Sequence, residues 1–173
     1  MQVVFDFGFV FVGAGVAAPP LPLEQLIGRR LVVAMQGTTP SQALIERVTR
    51  GEIAGVVLFG GNVRSKAQVR SLTGTLQAAA RRGGHAPLLI ATDQEGGIVR
   101  RLVWASPVAA AEELGRLPSA GLRDVGRQTG LALRRVGINV DLAPVADVPA
   151  VPGSFVAAQR RAFSRSPERA GDA

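Results

Sequence analysis

With 173 residues, 47% of them apolar and 19% charged, the chain is long enough for one sizeable core and reads as neither disordered nor collagen-like. It has no cysteine, which excludes disulfides and thiolate metal sites, and its single histidine, His85, lacks the carboxylate neighbours a zinc site would need. The net charge of +7 comes from scattered pairs such as Arg29-Arg30, Arg81-Arg82, Arg134-Arg135 and Arg160-Arg161, without interleaved aromatics, which is the pattern of solvated faces and argues against a nucleic-acid groove.

The chain opens on an apolar stretch, Val3 to Ala18, broken by Asp6 and ended by Pro19-Pro20-Leu21-Pro22. It is too short to span a bilayer comfortably and has no basic region before it, so no stable membrane span is expected. Residues 1–22 are therefore set apart as a degenerate signal or anchor, or an untidy start, and localisation stays open between cytoplasm and cell envelope. The fold is expected over 23–173.

From Leu23 the text becomes regular. Leu31 to Met35 reads as a buried strand. Thr39-Pro40 then supplies an N-cap and first-turn proline for a helix with Leu44, Ile45 and Val48 on one face, stopped at Gly51. Ile53 to Phe59 is a second apolar run. Ser65 caps a second helix carrying Val69, Leu72, Leu76 and Ala79 at helical spacing, closed by Gly83-Gly84. His85 falls in the turn that follows, as a solvated loop residue.

Leu88 to Ala91 is the central strand, expected to be buried on both faces. Its end delivers Asp93-Gln94-Glu95-Gly96-Gly97, and Arg100-Arg101 return a few residues later. Carboxylates and a five-donor guanidinium on one loop suit a ligand rich in hydroxyl groups. After an irregular insertion from Val103 to Pro118, a third helix shows Leu122, Val125, Thr129, Leu133 and Val136 on one face and ends at Gly137. Ile138 to Leu142 is a fourth strand, and Ser166-Pro167-Glu168 announces a fourth helix cut off at Ala173.

Strands alternating with helices make an α/β fold with a parallel sheet. An open doubly wound sheet and a partial (β/α)8 barrel both fit, and the interrupted fourth helix favours the barrel, since a complete one takes about 250 residues. A phosphate-binding glycine fingerprint is missing, which removes an open-sheet nucleotide binder. Four polar clusters would line the carboxyl-end rim: Gly60-Gly61-Asn62, Asp93 to Arg101, Asp141 with Asp147, and Gly153-Ser154-Phe155 through Arg160-Arg161-Ala162-Phe163-Ser164.

Four segments in this order, Gly55-Val56-Val57-Leu58-Phe59, Asp93-Gln94-Glu95-Gly96-Gly97 with Arg101, Gly137-Ile138-Asn139-Val140-Asp141-Leu142-Ala143-Pro144-Val145-Ala146-Asp147-Val148, and Arg161-Ala162-Phe163-Ser164, carry a resemblance over roughly residues 24 to 173. The chain resembles the N-terminal (β/α)8 domain of glycoside hydrolase family 3, and within it the bacterial β-N-acetylglucosaminidases. The resemblance implies a retaining exo-glycosidase acting on terminal β-linked N-acetylglucosamine, for instance in cell-wall fragments, with no cofactor and no metal. It implies substrate contacts from Asp93, Arg101 and Arg161, all facing one mouth of the barrel. Glu95 is left as loop scaffolding, and Asp141 and Asp147 as structural supports of the rim, with Asp141 pointing into the barrel. Family members carry a Lys-His-Phe-Pro-Gly-His-Gly segment, a His–Asp acid/base pair and an aspartate nucleophile further on. None of these matches a position here, so no residue of this chain is expected to be catalytic. The alternative is a non-catalytic sugar-binding module with the same fold.

Overall fold

The computed structural model describes residues 20–151 and 153–171. The apolar stretch Val3 to Ala18 lies outside the described residues. Four short strands, β1 (Val32–Ala34), β2 (Gly55–Leu58), β3 (Leu89–Thr92) and β6 (Val140–Asp141), form one parallel sheet in the order β1-β2-β3-β6. Consecutive strands are linked by α2 (Gln42–Thr49), α3 (Lys66–Arg82) and α5 (Ser119–Arg135). The order runs sequentially with no reversal, so no topological switch point falls among these strands.

Local chemistry explains where the helices begin. Ser41, and not Thr39-Pro40, caps α2: its hydroxyl accepts from Leu44 N at 3.2 Å, and Pro40 lies before the cap. A hydroxyl three residues ahead of a free N–H is what a first turn requires, and Ser41 has that spacing. Ser65 caps α3 in the same way through Gln68 N, at 3.2 Å. Gly137, at φ 80°, turns α5 into the next strand where an added Cβ would run into Thr73. Thr73 in turn donates its hydroxyl to Val136 O at 2.8 Å and ties α3 to the end of α5.

The core lies on one side of the sheet. Val56, Leu58 and Ile90 are sealed from solvent against Val48 of α2 and Val69, Leu72 and Leu76 of α3. The other side is more open: Leu89 is 46% exposed and Val32 44%. The expected burial of the central strand on both faces therefore fails at Leu89, while Ala91, which shares its face, is buried.

Several elements lie in segments read as loops. Gln94–Gly96 (β4) and Val99–Arg100 (β5) pair as a short antiparallel hairpin, whose turn uses φ 95° at Gly96 and 55° at Gly97. The insertion holds a helical turn, α4 (Ala111–Leu114), and two more short helices are α1 (Leu23–Gly28), before β1, and α6 (Phe155–Ala158), after β6. The chain's last described element is α7 (Pro167–Gly171). His85 is half-buried, not a free loop residue, with Nε2 3.0 Å from Thr49 O. Among the described residues no helix is long and apolar enough to cross a membrane.

Candidate functional site

The carboxyl ends of β2, β3 and β6 meet at one rim. Thr92, the last residue of β3, is fully buried and donates to Leu58 O at 2.9 Å, locking β2 to β3 at the point where polar residues begin. Beyond β2, Asn62 is buried and works as a strut: Nδ2 donates to Met35 O and Gly37 O at 3.1 and 2.7 Å, and Oδ1 accepts from Phe59 N at 2.8 Å. The Gly60-Gly61-Asn62 cluster thus fastens the loops after β1 and β2 to each other.

Gln94 does the corresponding work after β3. Its side chain is 1% exposed; Oε1 accepts from Leu102 N at 2.9 Å, and Nε2 lies within 3.1–3.3 Å of the carbonyls of Leu102, Ala105 and Ser106. A buried amide with both ends satisfied stabilises the loop it fills and costs heavily to remove. The sequence offered no sign of this beyond polarity, since the partners are backbone atoms.

On either side of Gln94 stand two carboxylates, each held by an arginine. Asp93 Oδ2 accepts from Arg101 Nη2 at 2.8 Å, and the Arg101 guanidinium lies 5.9 Å from the centre of the Phe59 ring. Glu95 accepts a two-pronged pair from Arg161, Nε to Oε2 and Nη2 to Oε1, both at 2.8 Å. Of the three residues singled out in the sequence, Asp93 and Arg101 are directly paired, while Arg161 joins Glu95. The field of Asp93 also reaches Arg161, whose guanidinium holds its proton more tightly than usual, first through the Glu95 hydrogen bonds. Glu95 was legible only as scaffolding because its partner stands 66 residues away.

The loop bearing Arg161 is itself anchored. Arg160 adopts φ 56°, a left-handed conformation that costs a non-glycine residue about 1 kcal/mol. Its guanidinium bonds Glu112 at 3.0 Å and Glu113 at 2.7 Å on α4, and its carbonyl accepts from Glu112 N. Arg169 donates to the carbonyls of Gly115 and Leu117 just beyond α4.

Asp141 departs from expectation. It pairs in register with Thr92, so its side chain shares the face that meets the helices and does not point to the opposite one. It lines a cavity of about 280 Å³ with Glu95, Leu122, Val125 and Thr129, and Oδ1 accepts from Gln94 N at 3.0 Å. Burial, opposed by that hydrogen bond and helped by the charges of Asp93 and Glu95, pushes its carboxyl up to about 6. Asp147 is exposed, within electrostatic reach of Arg161. Among the described residues no group of three or more histidines and acids is placed to hold a metal ion.

Two arginine-braced carboxylates at the mouth of a parallel sheet make a surface of fixed donors and acceptors, suited to a neutral, hydroxyl-rich ligand. Comparison with known proteins points the same way. Residues 23–172 match the glycosyl hydrolase family 3 N terminal domain. An uncharacterized secreted glycosyl hydrolase of Arthroderma benhamiae is 32% identical over 90% of this chain and 45% of that protein, and beta-hexosaminidase A of Pseudoalteromonas piscicida is 34% identical over 89% and 29%. Among solved structures, a family 3 beta-N-acetylglucosaminidase from Paenibacillus superposes with a TM-score of 0.81 at 29% identity, over 88% of this chain and 29% of that one. A beta-N-acetylhexosaminidase from Beutenbergia cavernae superposes with a TM-score of 0.77 at 31% identity, over 88% and 48%. The chain thus spans less than half the length of each of these four proteins.

Proposed function

The chain belongs to glycosyl hydrolase family 3, and from that premise we propose that residues 23–173 form the first four βα units of a (β/α)8 barrel in a β-N-acetylhexosaminidase. Asp93, Arg101 and Arg161 hold a terminal β-linked N-acetylglucosamine of a glycan or cell-wall fragment. The observation that carries this reading is the Asp93–Arg101 pair at the carboxyl end of β3, beside the Glu95–Arg161 fork. The sequential strand order, with one face covered by helices and the other open, supports the barrel.

Hydrogen bonds between charged side chains and sugar hydroxyls contribute about 1.5–3 kcal/mol each once water is excluded. Arg101, stacked near Phe59 and braced by Asp93, loses little freedom on binding, which makes that contribution available to register the ring.

A retaining hydrolase needs a nucleophile and an acid/base about 5 Å apart across the anomeric carbon. We assign neither role within these residues. Asp93 and Glu95 are each engaged by a guanidinium, which commits their oxygens as hydrogen-bond acceptors. Asp141, with its carboxyl near 6, has a pKa fit for a general acid. Yet it lies in the cavity under α5, on the helix side of the sheet.

Titration of the 173-residue chain with N-acetylglucosamine, followed by heteronuclear NMR, tests the reading. Shifts at Asp93, Arg101 and Arg161 that are lost in Asp93→Ala are expected; no shifts at these positions would overturn it. With a chromogenic N-acetylglucosaminide the chain alone is expected to give no turnover, and turnover abolished by Asp93→Ala would refute the assignment of catalysis elsewhere.

A further inference from the structure

We propose that Glu95 is a positioning residue that aims Arg161 at the sugar and makes the site selective for a neutral ring over an acidic one. The inference rests on the sugar-binding reading of Arg161 above.

Geometry carries the first half. A guanidinium has five N–H donors in a planar fork, and a bidentate carboxylate occupies one edge of it. Glu95 takes the Nε–Nη2 edge, both contacts at 2.8 Å, with its side chain only 6% exposed. The remaining donors, on Nη1 and the outer side of Nη2, are thereby presented away from Glu95. Nη1 has a single long contact, 3.3 Å to Gln159 Oε1, which a ligand oxygen displaces at little cost. Arg161 stays 23% exposed, so it is fixed without being covered. Its backbone is fixed as well, by the left-handed turn at Arg160 clamped to Glu112 and Glu113.

Charge carries the second half. A lone arginine at a rim attracts carboxylates and phosphates as readily as hydroxyls. Here Arg101 and Arg161 are each matched by an acid, and the charge of Asp147 also reaches Arg161. The site therefore offers directional donors without net positive charge, and a uronic acid gains nothing from it that N-acetylglucosamine does not.

The test uses the full 173-residue chain, with N-acetylglucosamine and glucuronate as probes. Glu95→Gln keeps one acceptor and removes the charge. It is expected to weaken N-acetylglucosamine about tenfold, to strengthen glucuronate relative to it, and to move the Arg161 Nε–H resonance toward that of a freely rotating arginine. Glu95→Asp restores the charge from one methylene further back and is expected to recover the discrimination against glucuronate but only part of the affinity. If Arg161→Ala weakens N-acetylglucosamine while Glu95→Gln leaves affinity, probe preference and the Nε–H resonance unchanged, the positioning role falls and the sugar site stands. If neither Asp93→Ala nor Arg161→Ala alters N-acetylglucosamine binding, the sugar site falls and this proposal with it. A Glu95→Gln chain that melts earlier but keeps the parent's probe preference reduces Glu95 to a structural brace and also overturns the proposal.

Discussion

Helices α3 and α5 are each 17 residues long, end in a pair of arginines and have a clear apolar face, yet they are buried to different depths. α3 buries Val69, Leu72, Thr73, Leu76, Ala79 and Ala80, in one apolar core with residues of α2, β2 and β3. α5 buries only Leu122, Thr129 and Leu133, and the half nearer its start overlooks the cavity of about 280 Å³. The strand it leads into, β6, is two residues long and half-buried throughout. An apolar stripe therefore announces which side of a helix seeks cover, but the amount of cover is decided by neighbours remote in sequence.

The comparison is most exposed to core truncation. Leu76→Ala, at a position with no solvent exposure, is expected to cost about 3 kcal/mol, against about 1.5 kcal/mol for Leu122→Ala beside the cavity, both read from urea-unfolding midpoints. Equal losses would erase the contrast between the helices.

A smaller effect separates their threonines. Thr73 serves a carbonyl outside its own helix, Val136 O, whereas Thr129 donates to Val125 O one turn back. Thr73→Val should cost about 1–2 kcal/mol by stranding a buried acceptor, and Thr129→Val less than about 0.5 kcal/mol. Calorimetric melting of the two variants checks the order, and a reversal would mean that the tie between the helices is not carried by Thr73.

Asp141, under α5, gives that side of the molecule a pH signature. Its folded-state pKa is raised from an ordinary aspartate value to about 6, so the native state binds that proton more tightly than the unfolded chain does. Stability is then lost as pH rises from about 4 to about 6 and is flat above. Asp141→Asn keeps the acceptor for Gln94 N and should flatten that window. It should gain about 1 kcal/mol at pH 7, a figure discounted because the side chain is only half-buried, and converge with the parent at low pH. Melting curves from pH 3 to 8 that run parallel for both chains would contradict this.

A further effect should be the same in both helices. Gly74 in α3 and Gly130 in α5 have open space where a Cβ would go, so Gly74→Ala and Gly130→Ala should each stabilise by about 0.5–1 kcal/mol through helix propensity alone. Unequal gains would show that α5 is held less rigidly as a helix, and not merely less covered.

What could be read from the sequence follows the same line between local and remote. Ser65 three residues ahead of a free N–H, Gly83-Gly84 after an apolar stripe, and the runs that became β1, β2, β3 and β6 all signal over a few residues, and all appear near their expected places. The β4–β5 hairpin had a signal in Gly96-Gly97, but it was masked by the charges around it. The Gln94 amide clasp, the Glu95–Arg161 fork and the face chosen by Asp141 have no local signature, because each depends on register or on a partner brought close only by folding. The segments quoted for the family resemblance singled out Asp93, Arg101 and Arg161 but were silent on which acid each arginine would meet.

Gln94 satisfies its amide entirely within residues 102 to 106, so the loop from Asp93 onward is fastened to itself before it touches anything else. Such a loop behaves as a cassette. Moved as a block onto the end of another parallel strand, it would carry the spacing of Asp93 and Arg101 with it, while the contacts of Gln94 N with Asp141 and of Glu95 with Arg161 would have to be rebuilt.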